Sequence, residues 1–556
     1  MLYRITITAL ACLLFSCSPK NQFEHDDGLQ SFTVAGLENI VAQLASDDFQ
    51  GRRPFTEGER KTLTYLEEKF KALGLEPGND SSYLQEVPMV EITPSADSMM
   101  SVKGAKGNFT LKGFDDYVWN TQRTDSSIVW KDEELVFAGF GVVAPEYNWN
   151  DYEGLDVKGK IVLVLVNDPG FGGEDTTFFK GNTMTYYGRW TYKYEEAARQ
   201  GAKGCFVIHN TIPAAYPFGV VQNNWNSPHL YLDPRGKNTV YCEGIGWMSK
   251  PATEKLFTAA GLDFNDQQSK ARQRGFKGQS LKLKVSTAMK VKVSFDKSYN
   301  VIGKLTGSER PEEYIIYTAH WDHLGIGKKD AAGDSIYNGA LDNASGTAGL
   351  LEIAKAFKSM TNKPKRTLIF LAVTAEEQGL WGSAYYAENP VYPKEKTVAN
   401  INMDGINPYG RMNDIVIVGK GQSDLEDYLR EEATLSGRVV TADSEPEKGY
   451  YFRSDHFNFA KIGIPALFTN TGNDFIGKGK EYGQQLKSTY TQKYYHQPSD
   501  EYDTTRMHFD GGIEDLKLLF QVGKRLSFTD AWPQWKEGSE FKATREGYMP
   551  GAGGGF

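Results

Sequence analysis

Short apolar runs alternate along this chain with segments whose apolar positions recur every third or fourth residue. Residues 314–318, 367–374, 398–403 and 464–468 are largely apolar and read as strands buried on both faces. Between the first two, Leu350, Ile353, Ala354 and Phe357 share one face of a predicted helix, with Ser345 expected to cap it. Leu63, Leu66, Phe70 and Leu73 mark an earlier helix, closed by Gly74. Strand alternating with helix predicts an α/β fold, a mostly parallel mixed sheet covered by helices.

A second block interrupts that rhythm. Residues 135–141, 161–166 and 205–208 read as strands, and residues 194–201 as a helix before the last of them. Segments such as Gly159-Lys160-Ile161-Val162-Leu163-Val164 make this block resemble the protease-associated (PA) domain, a smaller α/β module inserted in the main one. A chain of 556 residues exceeds one ordinary core, so two bodies are expected. The expected division is 1–17 signal, 18–28 tether, 29–115 first part of the main body and 116–290 insert. Residues 291–535 complete the main body, and 536–556 form a flexible tail ending in Gly551-Ala552-Gly553-Gly554-Gly555-Phe556.

Composition narrows the class only modestly. Hydrophobic content of 40%, charged content of 24% and a net charge of −9 are those of a globular protein without a nucleic-acid-binding face. The most basic stretch, residues 270–292, includes Leu281-Lys282-Leu283-Lys284-Val285, which alternates like a half-buried strand. The N-terminus changes the picture more. Arg4 followed by the apolar residues 5–15 forms a secretory segment too short to span a bilayer. It ends in Leu14-Phe15-Ser16-Cys17, which resembles a bacterial lipobox and makes Cys17 the expected site of lipidation and membrane anchoring. Cys12 would leave with the signal. Cys205 and Cys242 could pair in an oxidising compartment but make no disulfide framework.

The chemistry lies at strand ends. His320-Trp321-Asp322-His323-Leu324-Gly325 follows one predicted strand, Glu376-Glu377 a second and Asp404 a third. Asn338-Gly339-Ala340-Leu341-Asp342-Asn343-Ala344-Ser345-Gly346 lies between the first two, and Tyr495-His496-Gln497-Pro498-Ser499-Asp500 comes late. In open α/β sheets the site lies at the carboxyl ends of the strands, a placement independent of residue identity. Singly, each group has an ordinary structural use in a loop, a turn or a helix start. Together they supply the His and carboxylate donors that zinc favours, with one carboxylate to spare as a base.

With these motifs the chain resembles the M28 family of zinc peptidases. The resemblance implies that His320 and Asp404 hold one zinc, that Glu377 and His496 hold the other, and that Asp342 bridges them. It makes Glu376 the general base acting on a bridging hydroxide, and Asp322 the residue that orients His320. Tyr495 resembles a phenol that hydrogen-bonds the oxyanion. Arg453, in Phe452-Arg453-Ser454-Asp455-His456, belongs to a loop resembling one that lines the substrate cleft. The implied enzyme is an extracytoplasmic two-zinc exopeptidase acting on peptides. An aminopeptidase is favoured because acidic groups at the site would attract a free α-amino group. A carboxypeptidase would need a basic pocket, for which Arg453 alone is too little. The resemblance also admits a one-zinc glutaminyl-cyclase-like enzyme and a non-catalytic binding homologue. The polar segment 326–337 is expected as a loop on the rim of the site.

Overall fold

The computed structural model describes residues 25–549. The signal segment, Cys17, residues 18–24 of the tether and the glycine-rich end lie outside the described residues. Two helices open the main body, α1 (Val34–Leu44) and α2 (Glu57–Ala72). Leu63, Leu66 and Phe70 are buried, and Gly74 takes positive φ just past the helix end, as their spacing predicts.

Strand β1 (Leu84–Ala96) then carries the chain out of this body. Beyond it, β2 (Ser127–Phe137), β3 (Ile161–Leu165), β4 (Gly204–Ile208) and β5 (Gly244–Met248) pair in parallel in that order. Helix α3 (Trp190–Arg199) precedes β4. Alternate residues of β3 serve two layers: Ile161, Leu163 and Leu165 pack with Trp119 and Trp130, whereas Val162 and Val164 pack with Cys205 and Trp247. Cys205 and Cys242 are both free thiols, buried in the second layer.

The return path is a single strand, β6 (Gln279–Leu305), whose first half pairs with β2 and whose last residues pair with a strand of the main sheet. Along its middle it runs antiparallel to β1, from Met289 opposite Ala96 to Val301 opposite Leu84. A continuous two-stranded ribbon therefore joins the bodies. Leu281, Leu283 and Val285 are buried and Lys282 and Lys284 exposed, the alternation expected of this stretch. The insert begins earlier than residue 116. The hairpin Met99–Gly104/Gly107–Lys112 sends Met100, Val102 and Leu111 into the core that holds Trp119, because its alternating apolar residues find their partners there.

The main body continues through β7 (Arg310–His320), α4 (Gly346–Ser359), β8 (Arg366–Val373), α5 (Trp381–Glu388), β9 (Thr397–Asn402) and β10 (Ala466–Asn470). Helices α6 (Lys480–Lys493), α7 (Asp510–Phe528) and α8 (Lys542–Tyr548) follow. The sheet order is β6–β8–β7–β9–β10, antiparallel at β6 and parallel elsewhere. Every residue of β8 is buried: Leu368, Phe370 and Ala372 face the layer with α4 and α7, and Ile369, Leu371 and Val373 face Tyr386 and Phe459. That two-sided burial is why the run carries no polar alternation.

Parts of the expected tether and of the expected flexible tail are ordered where they are described. Residues 25–28 of the tether sit on α7, where Lys524 donates to the His25 and Asp27 carbonyls at 2.9 and 2.7 Å. In the expected tail 536–556, residues 536–549 pack: Phe541 is buried beside Trp535, and Arg545 donates to the Thr397 carbonyl at 3.1 Å. Large apolar side chains and a buried guanidinium tie this stretch down.

Candidate active site

Three neighbouring parallel strands deliver their ends to one place. In register, Thr318 of β7 stands between Leu371 of β8 and Asn402 of β9. His320 closes β7, Glu376 and Glu377 follow β8, and Asp404 follows β9. Asp342 comes from the turn before α4, and His496 from the loop after α6.

The expected ligands converge. Asp342 places Oδ1 3.3 Å from Nε2 of His320 and Oδ2 3.2 Å from Nε2 of His496, so one carboxylate spans two histidines. Asp404 Oδ1 lies 3.2 Å from His320 Nε2, and Glu377 Oε2 lies 3.0 Å from His496 Nε2. Glu376 stands next to the first group, its Oε2 3.9 Å from His320 Nε2. Two donor sets thus share Asp342: His320 with Asp404, and His496 with Glu377.

Residues that the motifs leave without a role support them. His323 is fully buried and sets Nδ1 2.5 Å from Oε1 of Glu377, opposite the oxygen that meets His496. With Asp342 and Glu377 it also forms a tight His–carboxylate group, so the second position has two histidines at hand. His496 is the one whose Nε2 meets both Asp342 and the other Glu377 oxygen. Asp500 accepts from the Leu341 and Asp342 main-chain N–H groups, both at 3.2 Å, and from Tyr490 Oη at 3.1 Å. A relay of hydrogen bonds fixes Asp404: Thr318 donates to Asn402 (2.6 Å), Asn402 to Ser454 (2.8 Å), and Ser454 to Asp404 Oδ2 (2.6 Å). Gly339 has φ +56° and approaches His323 so closely that a Cβ would lie 2.5 Å from the ring, which reserves the position for glycine.

Arg52 is the least expected member. Its buried guanidinium donates to the carbonyls of Trp321 (2.9 Å), Leu44 (2.7 Å), Asn338 (2.5 Å) and Gly339 (2.9 Å). It thereby pins the loop after His320 to the loop before Asp342. Burial pulls it down to about 10, although Asp322, Asp342, Asp500 and Glu377 favour its charge.

Other expectations are redistributed. Nδ1 of His320 lies 3.1 Å from the Asp322 main-chain carbonyl and 3.7 Å from its carboxylate. The Asp322 carboxylate instead accepts the Glu376 N–H at 3.0 Å, so this residue positions both the histidine and the glutamate. Ser345 does not cap α4. It donates to the Leu341 carbonyl and accepts from Ile406 N–H, while Asn343 Oδ1 accepts from Gly346 N–H (2.9 Å). Tyr495 stacks on His496 with ring centroids 3.9 Å apart and is 46% exposed. Arg453 turns from the cluster: it donates to the Lys448 carbonyl (2.7 Å) and lies over the rings of Tyr450 and Tyr216. Within segment 326–337, Ile326 pairs with Ile336 and is exposed at the edge. Arg53, Leu324, Ile326 and Gln378 line a cavity of about 490 Å³ together with Glu91 and Pro228 from beyond the start of β1.

The electrostatics call for cations. Glu376 is held well above the usual carboxylate range by burial, with Asp404 and Glu377 adding repulsion that His320 only partly offsets. Burial likewise raises Asp455 to about 7 and Asp500 to about 6. His320 is pushed well above the imidazole range: burial opposes its charge, but Glu376 and Asp404 outweigh it. His496 Nε2 is buried without a hydrogen-bond partner, a ring nitrogen set among carboxylates. Surplus buried carboxylates, an orphaned imidazole nitrogen and a shared aspartate fit two divalent ions.

A parallel sheet thus carries a cradle of histidines and carboxylates at the carboxyl ends of its strands, where an α/β fold places its site. Residues 300–519 match the model of peptidase family M28. Among curated proteins the chain is similar to Aminopeptidase NAALADL1 of Mus musculus, 35% identical over 132 residues, 23% of this chain and 16% of that protein. It is also similar to a probable zinc metalloprotease of Pyrenophora teres f. teres, 38% identical over 104 residues, 19% of this chain and 22% of that one. The matches thus span less than a quarter of these relatives' own length. The fold is shared with an aminopeptidase from Aneurinibacillus sp. strain AM-1, at 18% identity and a TM-score of 0.51 over 92% of this chain and 97% of that one.

Proposed function

We propose that this chain is an exported two-zinc aminopeptidase that releases N-terminal residues from peptides. The observation that carries the reading is the Asp342 carboxylate, with one oxygen 3.3 Å from His320 and the other 3.2 Å from His496. His320 and Asp404 would hold one zinc, His496 and Glu377 the other, with Asp342 between them. The similarity to an aminopeptidase and to a probable zinc metalloprotease supports the choice of metal and reaction. When bound, two such ions supply Lewis acidity toward the scissile carbonyl and make water a nucleophile near neutral pH.

The protein supplies the rest. Glu376 takes the proton of the attacking water and returns it to the leaving amine; an environment that favours its protonated form suits the second step. Asp322 holds Glu376 through its main-chain N–H and His320 through its carbonyl, which limits the rotation of both. Tyr495, stacked on His496 and open to solvent, is placed to donate to the developing oxyanion. The buried carboxylates attract a free α-ammonium group, which favours an N-terminal cut. Export rests on the apolar N-terminal segment, anchoring on lipidated Cys17, and the insert is read as a PA-like domain that walls the cleft.

Hydrolysis of aminoacyl-chromophore and N-blocked peptide substrates tests this, run for wild type and Glu376→Gln with zinc stoichiometry on the same samples. Two zincs per chain in both proteins are expected, with turnover only of free amino termini. The variant should lose about 10²–10⁴-fold in kcat. One zinc at saturation, or full activity in the variant, would overturn the reading.

A further inference from the structure

His323 is the histidine of the candidate metal centre to which the motifs give no part. It is fully buried and fixed at two points. Gly339 packs on the Cγ–Cδ2 edge of its ring, so closely that a Cβ there would lie 2.5 and 2.6 Å from those atoms. Its main-chain N–H donates to the Arg52 carbonyl at 3.4 Å, which ties it to the same arginine that pins Gly339. Nδ1, on the other side of the ring, lies 2.5 Å from Oε1 of Glu377. The ring of His496 stands edge-on to it, with centroids 5.7 Å apart.

The distance from Nδ1 to Oε1 separates a metal ligand from the partner of one. Two donors about 2.0–2.2 Å from one zinc lie about 3.3–3.6 Å apart in a tetrahedron, and about 2.8 Å or more even at a right angle. The contacts among the residues assigned to the ions fit that range. His320 meets Asp342 and Asp404 at 3.3 and 3.2 Å, and His496 meets Asp342 and Glu377 at 3.2 and 3.0 Å. At 2.5 Å, His323 Nδ1 and Glu377 Oε1 stand too close to share an ion and close enough to share a hydrogen atom. Among the described residues neither atom is hydrogen-bonded to any other group. They touch without being aligned, and the terminal torsion of a glutamate is soft enough to align them.

We infer that His323 is a positioning residue for Glu377: its Nδ1–H donates to Oε1 and leaves Oε2 alone to face the second ion. The number of donors gives the contact its purpose. His496 Nε2, Asp342 Oδ2 and Glu377 Oε2 are three, and a catalytic zinc takes three protein ligands and keeps its fourth position for water or substrate. A Glu377 that offered both oxygens would fill that position from the protein. The other side of the centre is built alike: Ser454 donates to Asp404 Oδ2 and leaves Oδ1 to the His320 side. This inference rests on the two-zinc reading above, and it makes His323 a determinant of rate more than of metal affinity.

Three variants test the role. His323→Asn places an amide nitrogen where Nδ1 stands, His323→Gln places it near Nε2, and His323→Leu removes it. Each is compared with wild type for kcat and KM on an alanyl chromophore substrate, for zinc stoichiometry, and by crystal structure after zinc loading. Wild type should hold two zincs, with one Glu377 oxygen on the second. In His323→Leu and His323→Gln both zincs should remain and both Glu377 oxygens should close on the second. There kcat should fall about 10–100-fold with KM little changed. His323→Asn should recover most of the rate and the one-oxygen geometry. Asparagine and glutamine carry the same amide, so their difference reads its position even where leucine disturbs folding. Two zincs in this geometry, in a protein that hydrolyses nothing, would keep the positioning role and discard the peptidase. Both Glu377 oxygens on the ion in wild type, a His323 nitrogen bound to an ion, or equal kcat in the asparagine and glutamine variants would overturn the role and leave the peptidase standing. A chain that takes up no second zinc would overturn both.

Discussion

Replacing Arg52 by methionine keeps most of the side-chain volume and removes every donor. The guanidinium makes four hydrogen bonds to main-chain carbonyls, at 2.5–2.9 Å. Charge-assisted bonds of this kind contribute about 1.5–3 kcal/mol each. Against them stands the cost of burying the charge: a fall from 12.5 to about 10 corresponds to roughly 3 kcal/mol. The balance leaves Arg52→Met destabilised by about 3 kcal/mol or more, in the range of changes that strand buried polar groups. Two of the four bonds hold Asn338 and Gly339, just ahead of Asp342, and one holds Trp321, just after His320. Part of the loss should therefore appear as metal affinity, about 10-fold or more, as for other residues that orient ligands. Urea unfolding of the zinc-loaded protein reads the first effect and competition with a chromogenic chelator the second. Arg52→Lys, with one charged nitrogen for four acceptors, should fall between. A methionine variant that matches wild type in both midpoint and zinc affinity would refute the idea that Arg52 organises the ligand loops.

Three further outcomes are expected. Ser454→Ala removes the donor to Asp404 Oδ2 and leaves Asn402 Nδ2 without its acceptor, so zinc affinity should fall about 10-fold by chelator competition; an unchanged affinity would mean the relay does not position Asp404. Glu59 is raised from 4.5 to about 7, chiefly by burial, so it contributes stability that is full below pH 4.5 and lost as pH rises through 7. The contribution is about 3 kcal/mol, and Glu59→Gln should gain relative to wild type across that window in urea titrations; parallel curves would contradict it. Stripping zinc leaves Asp342, Glu376, Glu377 and Asp404 facing one another, so the thermal midpoint should fall. At free zinc about 1,000 times Kd the ions contribute about 4 kcal/mol, and a midpoint insensitive to chelation would argue against a structural metal load.

What can be read from the sequence follows the range over which each feature is encoded. Strands β7, β8 and β9 are apolar runs that stop at a candidate ligand, so His320, Glu377 and Asp404 and their meeting at one sheet edge are legible from local pattern. His496 is legible only as part of a motif; its loop has no periodicity, and its place beside Asp342 depends on Asp500, four residues on, accepting from the Asp342 main chain. Ser345 has the local pattern of a cap, a serine before an apolar helix face, whereas Asn343 takes that role and frees the serine to hold Ile406. The insert's early start is hidden because the Met99–Lys112 hairpin and the ribbon of β1 and β6 pair across some two hundred residues of intervening chain.

Arg52 and Arg189 mark the real limit. Arg52 lies in a polar stretch that looks solvated and Arg189 in an aromatic one before Trp190, and each acquires its surroundings from far away in the chain: carbonyls 269–287 residues on for three bonds of Arg52, and Arg453 as an electrostatic neighbour of Arg189. A charged residue's local pattern is the same whether it is hydrated, paired or stranded, because those states differ only in long-range packing. Arg453 alone is too little to argue for a carboxylate site.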